Sequence, residues 1–106
     1  MKKTVMVMGT GAQGGTIAMR LNDEPNVGKI ICADYDIKTA ARYGKMLHKA
    51  VAVKVDARNL DEIVEVSRGA WLIVNGLPPD FNSNVMEAAL KNKMHYQDMA
   101  SGPVED

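Results

Sequence analysis

The feature that most constrains this chain is Gly9-Thr10-Gly11-Ala12-Gln13-Gly14, a G-x-G-x-x-G pattern set between two different periodicities. Before it, Val5-Met6-Val7-Met8 is a continuous apolar run that reads as a buried strand. After it, Gln13 to Leu21 brings Ile17, Ala18 and Leu21 to one side of a helix. In a strand-loop-helix unit each glycine has a separate task. Gly9 takes a backbone conformation that a side chain forbids, Gly11 leaves the main chain open to close approach, and Gly14 lets the helix press on the strand. The helix then begins with unpaired N–H groups and partial positive charge facing the space above the loop. That is an anion site made without lysine or arginine.

Three glycines at this spacing also arise by chance, so the pattern gains weight only from its context. Lys29-Ile30-Ile31-Cys32-Ala33 is a second apolar run, and it ends at Asp34, about 20 positions beyond the loop as a dinucleotide site requires. A carboxylate at the tip of that strand accepts hydroxyls of an adenosine ribose.

Along the rest of the chain, Asn22-Asp23-Glu24-Pro25-Asn26 with Gly28 forms a turn. Asp36 is predicted to cap a helix with Ile37, Ala40, Ala41 and Leu47 inward, Gly44 on the same face, and His48 at its negative end. Ala50 to Val55 reads as a third strand that ends at Asp56-Ala57. Asn59 and Glu62 have the spacing of a capping box, ahead of Leu60, Ile63, Val64 and Ser67, with Gly69 as the stop. Trp71 to Val74 is a fourth strand, continuous in its apolarity because both faces are covered. Asn75-Gly76-Leu77-Pro78-Pro79 is a loop with nothing regular until Asp80 or Asn82 starts a helix bearing Val85, Met86, Ala88, Ala89 and Leu90. Met94 to Met99 is a short fifth strand, broken by Ser101-Gly102-Pro103, and Trp71 and Phe81 are expected in the core, with an interface as the alternative.

Strands alternating with helices through short connections predict parallel pairing by right-handed crossovers. The expected fold is α/β, a doubly wound parallel sheet of Rossmann type, with five strands in the order 3-2-1-4-5 and helices on both faces. Its 106 residues, 46% of them hydrophobic, suit one dinucleotide-binding domain with a real core.

Thirteen Lys and Arg balance thirteen Asp and Glu, leaving no basic face of the kind nucleic acid requires. Cys32 is the only cysteine, so no internal disulfide forms, and a buried thiol in a reducing cytoplasm is expected. Met1-Lys2-Lys3 precedes an apolar stretch too short for a signal peptide, and no run approaches the about 18 apolar residues of a membrane span. No metal centre is expected.

In such a sheet, ligands bind beyond the carboxyl ends of the strands where the strand order reverses. Gly9 to Gly14, including Ala12 and Gln13, are expected to take the pyrophosphate, and Asp34, with Tyr35 beside it, the adenosine ribose. Asp56, next to Ala57, is either an acceptor for the adenine amino group or a turn residue near Asn59. Asn75, Leu77 and Pro78 flank the nicotinamide half, although Asn75-Gly76 also suits a plain turn, and Asp98 suits the nicotinamide ribose, a substrate amine or a strand-end turn. Asp34 repels a 2′-phosphate and Tyr35 stands where a phosphate-reading arginine often does, so NAD is expected over NADP, with Lys38 and Arg42 softening the preference.

The glycine run, Ala33-Asp34-Tyr35-Asp36, Lys54-Val55-Asp56-Ala57, Asn75-Gly76-Leu77-Pro78-Pro79 with Asn84, and Met94-His95-Tyr96-Gln97-Asp98 together resemble the N-terminal domain of the saccharopine dehydrogenase and lysine 6-dehydrogenase family. The resemblance implies an oxidoreductase that moves hydride between a nicotinamide cofactor and the carbon–nitrogen bond of an amino acid. It also implies that Gly9, Gly11, Gln13, Gly14, Asp34, Asp56 and Pro78 serve the cofactor. Asp34-Tyr35 departs from the Asp-Arg or Ser-Arg of some members. By the same resemblance, a second domain beyond Asp106 would hold the small amino-acid substrate and help form a homodimer. The expectation is therefore a chain, either a fragment or a lone binding module, that binds NAD without turnover. The rival readings are a nucleotide sensor that gates a channel or transporter, and a structural remnant.

Overall fold

A computed structural model describes residues 2–99 of the chain. Its elements follow in the order β1 (Lys3–Met8), α1 (Ala12–Asn22), β2 (Val27–Asp34), α2 (Ile37–Met46), β3 (Ala50–Lys54), α3 (Leu60–Ser67), β4 (Leu72–Asn75), α4 (Asn82–Lys91) and β5 (His95–Asp98). All four strand pairings are parallel and the order is β3-β2-β1-β4-β5. The predicted Rossmann architecture is therefore what the chain adopts. Met8 pairs with both Ala33 and Asn75, and Asp34 pairs with Lys54, so the ends of four strands arrive at one edge.

Alternate side chains of the central strands feed two cores. Met6, Met8, Ile31, Ala33 and Ile73 pack with Ile63 of α3 and Val85, Ala88 and Ala89 of α4. Val5, Val7, Ile30, Cys32 and Val74 pack with Ala18 of α1, Ala40 of α2 and Leu47. Strand β1 is apolar without alternation because helices cover both sides.

Several apolar residues expected inside lie outside. Ile37, Met86 and Leu90 are exposed, Leu90 by 74%, because α2 and α4 rest on the sheet through Ala40 and through Val85, Ala88 and Ala89. Trp71 is 43% exposed below β4, its ring 4.9 Å from His95 and under the Lys3 ammonium at 4.8 Å. Phe81 is half-buried against the core, at the end of a 3-10 turn (Pro79–Phe81) in the segment predicted to be irregular. Helix α2 stops at Met46, and His48 lies past it, its Nδ1 3.5 Å from Asn22 Nδ2. The Ser101-Gly102-Pro103 break lies outside the described residues.

Candidate functional site

The β1–α1 turn is built around a three-way backbone contact. Gly9 has φ +86°, a left-handed conformation that glycine adopts without strain, and its N–H donates to the Ala33 carbonyl at 2.8 Å. A Cβ on Gly14 would stand 1.8 Å from the Gly9 carbonyl oxygen, and one on Gly76 would stand 3.0 Å from the same atom. Helix α1, strand β1 and the loop after β4 thus meet where only glycines fit. Gly11 is different. A Cβ there would meet nothing within 4 Å, so the fold itself does not require glycine at that position.

Gly11, Ala12 and Gln13 are exposed at the mouth of this turn. Gly11 caps α1 without any side-chain hydrogen bond, and the first turn holds no acidic residue. The leading amides therefore keep their donor capacity and the positive end of the helix dipole.

Asp34 faces this mouth. Its Oδ2 accepts from the Thr10 amide at 2.9 Å and the Thr10 hydroxyl at 3.2 Å, and its Oδ1 accepts from the Asp36 amide at 3.0 Å. A carboxylate offers about four acceptor positions, so room for a further donor remains. The sequence pattern had not singled out Thr10, whose signal is a hydroxyl inside the glycine loop beside an acidic strand tip.

Beyond Asp34 a cavity of about 380 Å³ opens between the loops that follow β2, β3 and β4. Met8, Asp34, Tyr35, Val55, Asp56, Ala57, Arg58, Leu77 and Phe81 line it. Its size falls within the range of about 300–1,000 Å³ usual for small-molecule sites. Tyr35 is 59% exposed, with the Lys54 Nζ 5.3 Å and the Arg58 Cζ 5.6 Å from its ring centroid. Lys54 and Arg58 stand beside this ring.

Asp56 makes a turn and an ion pair. Its Oδ1 accepts from the Arg58 amide and Nε, each at 3.0 Å, and its Oδ2 from Arg58 Nη2, also at 3.0 Å. The Arg58 side chain beside it holds the Asp56 carboxyl below the usual carboxylate range. Of the two roles left open for Asp56, this geometry displays the turn. Ala57 is buried, and its carbonyl accepts from Asn84 Nδ2 at 3.0 Å, which ties α4 to the β3–α3 turn.

Asn75 has its side chain wholly inside. Its Nδ2 donates to Asn82 Oδ1 at 2.9 Å and to the Tyr96 oxygen at 3.1 Å, while its Oδ1 accepts from the Leu77 amide at 3.0 Å. Tyr96 in turn donates to Asp98 Oδ2 at 2.8 Å, and burial pushes its phenol up to about 12. This network shapes the loop after β4 from within. It leaves Leu77, packed over Gly9, and the exposed Pro78 as that loop's contribution to the mouth. Among the described residues no group of His, Cys, Asp and Glu is arranged to hold a metal ion, and no helix is long and apolar enough to cross a membrane.

A doubly wound parallel sheet with an uncapped helix at a glycine turn and a carboxylate across from it defines a Rossmann domain of the dinucleotide-binding class. The sequence matches the saccharopine dehydrogenase NADP binding domain over residues 5–106, and the chain belongs to that family. Among solved structures it resembles apo saccharopine dehydrogenase (L-Glu forming) from Saccharomyces cerevisiae, with a TM-score of 0.83 at 17% identity over 97% of this chain and 22% of that one. It also resembles Pen from Bacillus thuringiensis, with a TM-score of 0.78 at 15% identity over 88% of this chain and 36% of that one. A short-chain dehydrogenase/reductase from Veillonella parvula in complex with NADP gives a TM-score of 0.74 at 12% identity over 92% of this chain and 47% of that one. At these identities the likenesses speak for the fold, and the chain spans about a fifth of the yeast enzyme's length.

Proposed function

We propose that this chain holds the nicotinamide dinucleotide of an amino-acid dehydrogenase, with NAD preferred over NADP. The observation that carries the reading is Asp34. The Thr10 amide and hydroxyl aim its carboxylate at the mouth of an uncapped helix turn whose central glycine is open to solvent.

The residues fit that group part by part. The amides at the start of α1 and the open face of Gly11 suit a pyrophosphate, Asp34 a ribose diol, the cavity bounded by Val55, Ala57, Leu77 and Phe81 an apolar base, and Leu77 and Pro78 the nicotinamide side. When bound, the nicotinamide supplies hydride transfer, while the protein contributes position and exclusion of water. Asp34 carries negative charge where NADP carries a 2′-phosphate. That repulsion supports NAD even though the family's description names NADP. Lys54 and Arg58 nearby temper the preference, and Arg58 already shares its charge with Asp56.

The substrate is expected to be a small amino acid oxidised at its carbon–nitrogen bond, held by a domain that follows this one, with a homodimer as the assembly. The isolated chain is then expected to bind NAD without turnover. The buried free thiol of Cys32 suits a cytoplasmic setting.

Calorimetric titration of the chain with NAD, NADP and ATP tests the reading. NAD should bind at least about tenfold more tightly than NADP, a difference of about 1.4 kcal/mol. Tighter NADP binding would overturn the preference alone. Tight ATP binding without an NAD response would instead favour a nucleotide sensor, and rapid amino-acid oxidation by the chain alone would overturn the division of labour.

A further inference from the structure

We propose that Arg58 provides the face on which the adenine ring stacks, and that Asp56 is the residue that positions Arg58. The proposal rests on the dinucleotide reading and names one wall of the same site. Asp56 carries three Arg58 donors at 3.0 Å, two of them on Oδ1. Nε and Nη2 grip the two carboxylate oxygens as a fork, which fixes the guanidinium plane as well as its place. The Arg58 side chain is 70% exposed, so the guanidinium plane that Asp56 fixes stays open to a ligand.

The sheet order supplies the second half. Arg58 follows β3, whereas Leu77 and Phe81 follow β4, and the ends of β2 and β1 lie between them. The cavity therefore has a flat cation on one flank and apolar side chains on the other. A planar, neutral aromatic ring suits that arrangement, stacking by one face on the cation and extending along the apolar lining. Tyr35, its ring centroid 5.6 Å from Arg58 Cζ, adds an aromatic contact to the same guanidinium. Because Asp56 neutralises Arg58, the attraction is dispersion and stacking rather than net charge, and it should depend little on salt.

Four forms of the chain decide this: wild type, Arg58→Lys, Asp56→Asn and the double variant. Each is titrated with NAD, AMP, inosine monophosphate and nicotinamide mononucleotide. Lysine keeps the charge and loses the plane. Arg58→Lys should weaken NAD and AMP by about tenfold, the scale of one base stack, and leave nicotinamide mononucleotide unchanged. Asp56→Asn should weaken AMP and inosine monophosphate equally, and the double variant should be no weaker than Arg58→Lys. If Arg58→Lys binds AMP as wild type does, the stack is overturned. If Asp56→Asn selectively loses AMP over inosine monophosphate, Asp56 reads the amino group directly and its positioning role falls. A wild-type chain that binds neither NAD nor AMP removes the dinucleotide reading and this proposal with it, a result distinct from the other two.

Discussion

The turns that start α1 and α3 sit at the same edge of the sheet and are built by opposite means. At α3, Asn59 Oδ1 accepts from the Glu62 amide at 3.2 Å, Glu62 reaches back to accept from the Asp56 amide at 3.1 Å, and Asp61 and Glu62 bring acidic charge to the helix start. At α1 there is no side-chain cap and no acid, only glycines and a neighbouring strand that lends one carboxylate to Thr10. Helix α2 is closed by a side chain as α3 is, with Asp36 accepting from the Lys38 amide at 3.0 Å. Helices that satisfy their own ends are closed to ligands. The one left open at a glycine turn keeps its donors for an anion.

The largest expected effect breaks the open turn itself. Gly14→Ala places a methyl group against the Gly9 carbonyl, which is backbone and cannot swing aside. It should cost at least about 3 kcal/mol in urea unfolding, the upper end for overpacking, or abolish folding. A stable Gly14→Ala protein would mean that α1 does not press on β1 as described.

Gly11→Val sharpens the contrast, since a Cβ there meets no protein atom within 4 Å and φ is −73°. NAD affinity should fall by about tenfold to a hundredfold, as when bonds to a charged group are lost, while stability moves by less than about 1 kcal/mol. Unchanged NAD affinity would remove the loop from the site.

Asn59→Ala tests the closed turn. It should lower stability by about 1 kcal/mol, as loss of a helix cap does, with no change in NAD affinity in calorimetry.

The effect confined to the narrowest conditions is a pH response of the loop after β4. Folding raises the Tyr96 phenol from 10.0 to about 12, so the folded state holds this proton more tightly than the unfolded one. Its contribution is complete below pH 10 and is lost as pH rises towards 12, a slope in denaturant midpoints that Tyr96→Phe should flatten.

Much of this was legible in the sequence because it is local. Val5 to Met8, the glycine spacing and Asp34 specified the central βαβ unit, and Asn59 with Glu62 announced the start of α3. Apolarity misled where a helix face is narrow. Ile37, Met86 and Leu90 have helical spacing, yet alanines and Val85 make the contact, and periodicity alone does not reveal how closely a helix approaches its sheet. At Asp56 the sequence left two roles open, and the choice of Arg58 as its partner is a matter of side-chain geometry.

By itself, then, the order of residues determined the alternation of strands and helices, the sheet's strand order and the bend of the glycine turn. These depend on short-range periodicity, backbone freedom and short crossovers. The tertiary structure decided that Thr10 grips Asp34 across 24 positions, that Asn75 turns inward to Asn82 and Tyr96, and that Arg58 lines the cavity that Leu77 closes from the other side. Hydrogen bonds and walls of that kind join residues far apart in the chain, and their partners are chosen only when parallel pairing brings the strand ends to one edge.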